Sequence, residues 1–123
     1  MTTLSSSNES HGCLFCKIVN KSIPSKVEYE DDDLVAIHDV NPQAPFHVLL
    51  IPKRHISRIA DVEESDLALI GRMIHWAKKI AETRNFSESG YRLVFNSGPD
   101  GGQTVFHIHL HLMAGRPMSW PPG

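Results

Sequence analysis

Three histidines recur at every second position near the end of the 123-residue chain, within the stretch Phe106 to Leu112. Alternate side chains of a β-strand project from the same face, so a strand here would present His107, His109 and His111 together. They would lie roughly 6.5–7 Å apart, because each residue advances a strand by about 3.3 Å. The interleaved apolar residues, Phe106 included, would face a core. Such a row is suited to a phosphate-sized group or to a metal ion.

A glycine-rich loop, Ser97 to Thr104, leads into these histidines. Its glycines allow positive φ and let backbone N–H groups converge on an anion, while Gln103 and Thr104 add side-chain donors. The P-loop pattern requires a lysine where Gln103 stands, so a Walker-type site is excluded. A donor-rich loop that runs straight into a row of histidines favours a site for an anion.

Two chemistries compete for the histidine row. In one, His-x-His chelates zinc for metal-assisted hydrolysis, which also needs a third ligand and nearby carboxylates, and no acidic residue lies on or beside the predicted strand. In the other, His109 attacks phosphorus through a neutral ring nitrogen while an acceptor holds its other nitrogen. His107 and His111 would then shape the site and protonate or position the leaving group. Three solvated histidines on an outer face are the remaining interpretation.

Cys13 and Cys16 form a C-x-x-C pair near the N-terminus, where no secretion signal is recognisable. Reduced thiols, a redox pair or half of a metal site are therefore favoured over a structural disulfide. We expect a cytoplasmic protein with a flexible tail over residues 1–11, which are rich in Ser, Thr and Asn, and a single domain over 12–123.

The composition fits one globular domain, with 41% hydrophobic residues and a formal net charge of −2. No run of lysines or arginines is present, so a nucleic acid polymer is not expected as a partner. No stretch approaches the ~20 apolar residues of a membrane span, so a membrane is not expected either.

Five strands are predicted from alternating or apolar runs that end in turn-forming residues, over 26–30, 34–39, 46–51, 91–96 and 106–112. A short amphipathic helix is predicted over 13–19 and one long helix over 63–84. Asp61 and Glu64 resemble a capping box at its start, and Asn85 is placed to be a left-handed cap. Its apolar stripe consists of Leu67, Ile70, Met73, Ile74, Ala77, Ile80 and Ala81. These elements predict an α+β domain with a mainly antiparallel sheet.

The stretch His107 to Leu112 resembles the His-φ-His-φ-His-φ signature of the histidine-triad (HIT) superfamily. The loop Asn96 to Thr104 and the tail Trp120 to Gly123 resemble its Hint branch, the purine nucleoside phosphoramidases. Further matching segments are Phe15–Ile18, Ile23–Pro24, His38–Asp39, Pro42–Pro45 and Ile51–Lys53 with His55. The similarity spans Gly12 to Gly123 in matching order.

The resemblance implies a HIT-like α+β fold, with a five-stranded sheet, one long helix and one short helix in each subunit. Two subunits are expected to form a homodimer with one continuous ten-stranded sheet. The implied reaction cleaves the P–N bond of purine nucleoside 5′-phosphoramidates, typically of adenosine, through a covalent nucleotidyl-histidine. An AMP-like nucleotide is therefore the expected partner, and no cofactor is expected for the chemistry.

The resemblance also assigns roles to residues of this sequence. His109, the middle histidine, inherits the nucleophile role, with His111 near the phosphate and leaving group, His47 lining the same site and His107 supporting the nucleophile's orientation. The implied phosphate contacts are Asn96, Gly102, Gln103 and Thr104. The implied ribose and base contacts are Asp39, Leu14, Phe15, Ile18, Ile23, Ile37, His38 and Val40. Trp120 is expected to approach the partner subunit's site.

The C-x-x-C pair departs from many Hint proteins and resembles that of a sister group of bacterial HIT proteins, which use it for structural zinc. The ligands implied for this chain are Cys13, Cys16, His55 and His107, a closed tetrahedral set. His107 would then have a structural role beside His109. Two buried thiols that bind no metal are the alternative.

Two other functions fit the same residues. A nucleotide-binding or scaffold protein with incidental catalysis would use the same pocket. A dinucleoside polyphosphate hydrolase, as in the Fhit branch, is a further alternative, although the tail Trp120 to Gly123 argues against it.

Overall fold

The computed structural model describes residues 12–123, so the predicted flexible tail over 1–11 lies outside the described residues. The described residues form two α-helices and five strands. In order they are α1 (Leu14–Val19), β1 (Val27–Glu30), β2 (Leu34–His38), β3 (Phe46–Pro52), α2 (Leu67–Thr83), β4 (Tyr91–Phe95) and β5 (Leu110–Ala114). Two 3₁₀ turns, Ile59–Asp61 and Glu64–Asp66, precede α2.

All five strands form one antiparallel sheet in the order β1-β2-β3-β5-β4. The predicted fold class, an α+β domain with a five-stranded sheet, one long helix and one short helix, is confirmed. The central strand β3 is buried along its whole length. Such a strand reads as a continuous apolar run because both of its faces are covered.

The two helices pack on opposite faces of the sheet. On one face, Val48, Leu50 and Leu112 pack against Met73 and Ala77 of α2. On the other face, the alternate residues of β2 and β3 pack against α1 in a smaller cluster of Phe15, Ile18, Val35, Ile37, Leu49 and Ile51. The face that carries α1 also receives the histidines, since His111 alternates with core residues of β5.

The last strand begins later than the alternating pattern predicts. β5 starts at Leu110, so His107 and His109 precede it instead of standing in a regular row. Pro52, which would lie opposite Ile108 in a longer ladder, has no N–H to donate, and the Ile108 N–H donates instead to Ile56 O at 2.7 Å. Phe106, predicted to face the core, is consequently 43% exposed.

The long helix also begins later than predicted, at Leu67 instead of residue 63. A capping box is present, but Glu63 and Asp66 form it around the second 3₁₀ turn. Asn85 has a φ of 66°, as predicted for a left-handed cap. Two members of the predicted stripe, Leu67 and Ile74, are 60% and 46% exposed. Within residues 12–123 no helix is both long and apolar enough to cross a membrane.

An ion pair joins the edge strand β1 to the end of α2. Both carboxylate oxygens of Glu28 accept from the Arg84 guanidinium, at 2.7 and 2.5 Å, and one of them also lies 2.8 Å from His38 Nε2. The Arg84 guanidinium lies 5.1 Å from the centroid of the Phe46 ring. The hydrogen bond from Arg84 holds the pKa of the Glu28 carboxyl below its usual value of 4.5.

A lowered pKa in the folded state predicts how this pair contributes to stability as the pH changes. The stabilisation is complete above about pH 4.5 and is lost as the pH falls through the lower folded-state pKa. We expect Glu28→Gln to lower the melting temperature at pH 7 by roughly 3–6 °C, and to lower it much less at pH 3. The matched control is Glu82→Gln, which removes an exposed carboxylate near Lys78 and Lys79 and should have little effect. An equal loss at both pH values in Glu28→Gln would contradict this account.

Candidate functional site

A cleft of about 620 Å³, here called the main cleft, opens between α1, the end of β2 and the glycine-rich loop. Its inner wall carries His109 and His111, and its outer wall is largely apolar. The predicted site residues that line it are Leu14, Phe15, Ile18, Ile23, His38, Asp39, Val40, Asn96, Gly102, Thr104, His109 and His111. The fold thus brings together residues from four separate stretches of the chain.

The backbone fixes the tautomer of His109. Its Nδ1 lies 2.8 Å from His107 O, and a carbonyl oxygen only accepts, so Nδ1 carries the proton. Burial lowers the pKa of the His109 ring, which is 7% exposed. The ring is therefore neutral at pH 7 with an unprotonated Nε2. The Phe15 ring packs edge-on against it, with centroids 4.9 Å apart, and restricts its rotation.

A chain of hydrogen bonds fixes the tautomer of His111 in the same way. The Gln43 N–H donates to His47 Nδ1 at 2.9 Å, so neutral His47 carries its proton on Nε2. His47 Nε2 lies 2.9 Å from His111 Nδ1, which must accept. His111 Nε2 therefore carries a proton that it can donate. Burial lowers the pKa of His111 to about 4, and also lowers that of His47.

A carboxylate does reach His47 and His111, although no acidic residue lies on or beside the predicted strand 106–112. Asp39 follows β2, and its Oδ2 lies 3.5 Å from His47 Nε2. Asp39, His47 and His111 could together hold a metal ion by proximity. In the neutral tautomers, however, the His47 Nε2–H points at His111 Nδ1, so neither nitrogen offers a free lone pair. This arrangement favours nucleophilic attack by His109 over metal-assisted hydrolysis.

Close backbone contacts and the Gln103 side chain determine the conformation of the glycine-rich loop. A Cβ on Gly101 would lie 2.6 Å from Ser97 O, so the loop closes only around glycine, and Gly102 adopts a φ of 87°. Gln103 is 5% exposed, and its amide accepts from Gly98 N–H and donates to Ser57 O. The Gln103 side chain is thus oriented into the loop, and it does not line the main cleft.

Three other predicted contacts also lie away from the main cleft. Ile37 lies in the core beside α1 at 4% exposure, and Trp120 is 83% exposed in the tail. His47 lies on the far side of His111, in an adjoining pocket of about 330 Å³, here called the side pocket. Arg92 and Arg116, which were not predicted as site residues, also line the side pocket. Arg92 could have been found from strand alternation, since it shares a face with Asn96; Arg116 gave no such signal.

A separate cluster of four side chains lies beside His109: Cys13, Cys16, His55 and His107. The two Nδ1 atoms are 3.2 Å apart, and the sulfur–nitrogen distances are 3.3 to 3.6 Å. A tetrahedral zinc, with bonds of about 2.3 Å to sulfur and about 2.0–2.1 Å to nitrogen, requires separations of about 3.3 and 3.6 Å. The four donors fit that ion.

The local structure around this cluster orients its donors. Cys13 is the N-cap of α1, and its sulfur accepts from the Cys16 N–H, which holds both thiols at the start of the helix. His107 is fully buried, and its Nε2 lies 2.7 Å from Pro52 O. Because that carbonyl accepts, the His107 proton is on Nε2 and its Nδ1 lone pair faces the thiols.

Comparisons with known proteins agree with this geometry. A family model described as the HIT domain matches residues 20–118. The chain belongs to the HIT family. It is similar to a HIT family hydrolase from Legionella pneumophila, whose crystal structure aligns with a TM-score of 0.90 at 53% identity, covering 91% of this chain and 100% of that one.

Two plant relatives extend the comparison. A 14 kDa zinc-binding protein from Zea mays is 47% identical over 112 residues, covering 89% of this chain and 87% of the maize protein. Adenylylsulfatase HINT1 from Arabidopsis thaliana is 46% identical over 112 residues, covering 89% of this chain and 76% of that protein. Both similarities span most of this chain.

Proposed function

We propose that this HIT protein hydrolyses purine nucleoside 5′-phosphoramidates, typically of adenosine, through a covalent nucleotidyl-His109 intermediate. The observation that carries the proposal is the hydrogen bond from His109 Nδ1 to His107 O, which leaves a neutral Nε2 lone pair facing the main cleft. The Arabidopsis relative is named an adenylylsulfatase, and that name supports an adenylyl group as the part of the substrate held in the cleft.

In the proposed reaction, the His109 Nε2 lone pair attacks phosphorus and the P–N bond breaks. The departing amine takes the bonding electron pair and a proton from solvent. Water then attacks the nucleotidyl-histidine, loses a proton to solvent, and returns the lone pair to Nε2 with release of the nucleoside monophosphate. No cofactor takes part in either step.

Other groups around the cleft are suited to bind the substrate. His111 Nε2–H donates to a phosphoryl oxygen, together with Asn96 and Thr104 at the cleft wall. Asp39 is placed to accept from the ribose hydroxyls, since it lines the cleft and its side chain is 19% exposed. The apolar wall that includes Phe15 and Ile18 packs against the purine.

We expect His109→Asn to lower turnover of an adenosine 5′-phosphoramidate by about a thousandfold or more. The Asn amide can still donate toward His107 O but provides no ring nitrogen, so AMP affinity should change little. The control is His75→Asn, on the exposed surface of α2. After mixing with substrate and acid quench, the wild-type chain should gain the mass of one nucleotidyl group on His109. Appreciable turnover by His109→Asn would contradict the mechanism, and AMP binding by the wild type without turnover would favour a scaffold role.

We also infer that Cys13, Cys16, His55 and His107 hold a structural zinc, and the name of the maize zinc-binding protein supports this inference. The four donors leave no open coordination position, so the ion would supply stability and no substrate activation. The support is the match of the donor separations to a tetrahedral ion.

We also propose a cytoplasmic location, where the thiols of Cys13 and Cys16 would stay reduced. A Cys13–Cys16 disulfide in freshly isolated protein would contradict that location.

Protein prepared without chelator should contain about one zinc ion per chain. Cys13→Ser should lose most of that zinc and melt roughly 5–15 °C lower, because one of four ligands is removed. His75→Ala, far from the cluster, should keep both zinc content and melting temperature. Wild-type protein without zinc would eliminate the structural ion, whatever its activity.

We further propose that the protein is a homodimer in which the β4 edges of two copies pair into one ten-stranded sheet. β4 is a sheet edge with partly exposed residues throughout, and unpaired strand edges favour such addition. The exposed Leu67 and Ile74 of α2 and the exposed Trp120 would gain cover from the partner.

The dimer proposal predicts a mass of twice 13.8 kDa in sedimentation equilibrium. Ile74→Glu places a charge on the exposed apolar position of α2 and should shift the protein toward monomer. Lys78→Glu, on an exposed polar position of the same helix, should not. A wild-type monomer at micromolar concentration would contradict the proposal.

A further inference from the structure

The side pocket adjoins the main cleft, and Asn96 and His111 form the wall that the two share. The proposed nucleophile, His109, lines only the main cleft. Phosphoryl transfer places the attacking and departing atoms roughly in line across phosphorus. A nucleotide whose phosphorus lies between His109 and His111 therefore directs its leaving group toward the side pocket.

The side pocket is cationic. Arg92 and Arg116 line it, and none of its lining residues is acidic. Within residues 12–123, each of the other four arginines has a carboxylate within 4 Å. Arg92 and Arg116 have none, so their two positive charges are not compensated by this chain.

Backbone carbonyls hold both guanidiniums at the pocket. Arg116 donates through Nε and Nη2 to Gln43 O at 3.0 and 2.9 Å, and Arg92 donates through Nη2 to Ser119 O at 2.7 Å. The chain turns at Gly115, where a Cβ would lie 2.9 Å from the Pro45 side chain. Carbonyl partners orient a guanidinium without neutralising it, and each guanidinium has five N–H donors, so both keep donors for a ligand.

We propose that the side pocket is the leaving-group subsite and that it selects amines carrying an anionic group. A carboxylate, sulfate or phosphate would meet two prepositioned guanidiniums there, and guanidinium is the side chain best matched to such oxygens. The pocket's volume of about 330 Å³ suits a small group. This inference rests on the proposed hydrolysis and names the substrate class of that same site.

Two adenosine 5′-phosphoramidates test the proposal, one made from 4-aminobutanoate and the other from 4-aminobutanamide. Their amines are of similar size and basicity, because the differing group lies three carbons away. The wild-type protein should hydrolyse the carboxylate substrate with about tenfold higher kcat/KM, the effect expected of a modest charge contact. Raising the salt concentration should reduce that ratio.

Variants identify the residues responsible, with the ratio of the two kcat/KM values as the readout. Arg92→Gln and Arg116→Gln should each move the ratio toward one, whereas Arg116→Lys keeps the charge and should retain most of the preference. Arg72→Gln, which breaks an exposed pair with Asp33 outside the pocket, should leave the ratio unchanged. The ratio is informative even where a variant is less stable, since both substrates are measured on the same preparation.

These measurements distinguish failure of the anionic subsite from failure of the proposed hydrolase activity. Turnover of both substrates at equal rates, or a preference that persists in both glutamine variants, would overturn the anionic subsite and leave the hydrolase intact. If the wild-type protein hydrolyses neither substrate, the proposed function fails and the subsite fails with it.

Discussion

His107 connects the two parts of the site, and the geometry of His109, the proposed nucleophile, depends on it. Its buried ring donates to Pro52 O and directs Nδ1 at the cysteine pair, while its backbone carbonyl holds His109 Nδ1. A shift of this one residue would disturb both the four-donor cluster and the tautomer of His109. Burial is costly for a polar ring unless its hydrogen bonds are made, and here both nitrogens of His107 are used.

The three histidines differ because each has different hydrogen-bond partners. A neutral imidazole offers one donor and one acceptor, and the partner of one nitrogen determines what the other can do. His109 donates to a carbonyl and keeps an unprotonated Nε2, whereas His111 accepts from His47 and keeps an N–H to donate. Burial lowers the pKa of both rings, so neither assignment is lost by protonation at pH 7.

Local pattern was sufficient to predict strands β2 and β3 to within a residue, because apolar runs with turn residues at their ends carry that signal. It could not predict where β5 begins, since the ladder ends through Pro52 and Ile56, about fifty residues earlier in the chain. The inward orientation of Gln103 likewise depends on a distant residue, because its amide donates to Ser57 O. The approach of Arg116 to Gln43 is equally remote in sequence, so alternation and motif spacing carry no information about it.

The arrangement separates the groups that can bind a substrate from those that can react with it. A neutral, buried imidazole neither attracts nor repels an anionic phosphoryl group, so in the proposed reaction His109 would add reactivity with little affinity. The apolar wall around Phe15 and Ile18 would bury the same area of a bound purine in the ground state and in the transition state. Binding that is equal in the two states does not accelerate the chemical step. In the proposed reaction, rate enhancement beyond that of the nucleophile would come from donors that act more strongly as charge develops on phosphorus. His111 Nε2–H is oriented for that role by a chain of hydrogen bonds that starts at the Gln43 backbone N–H.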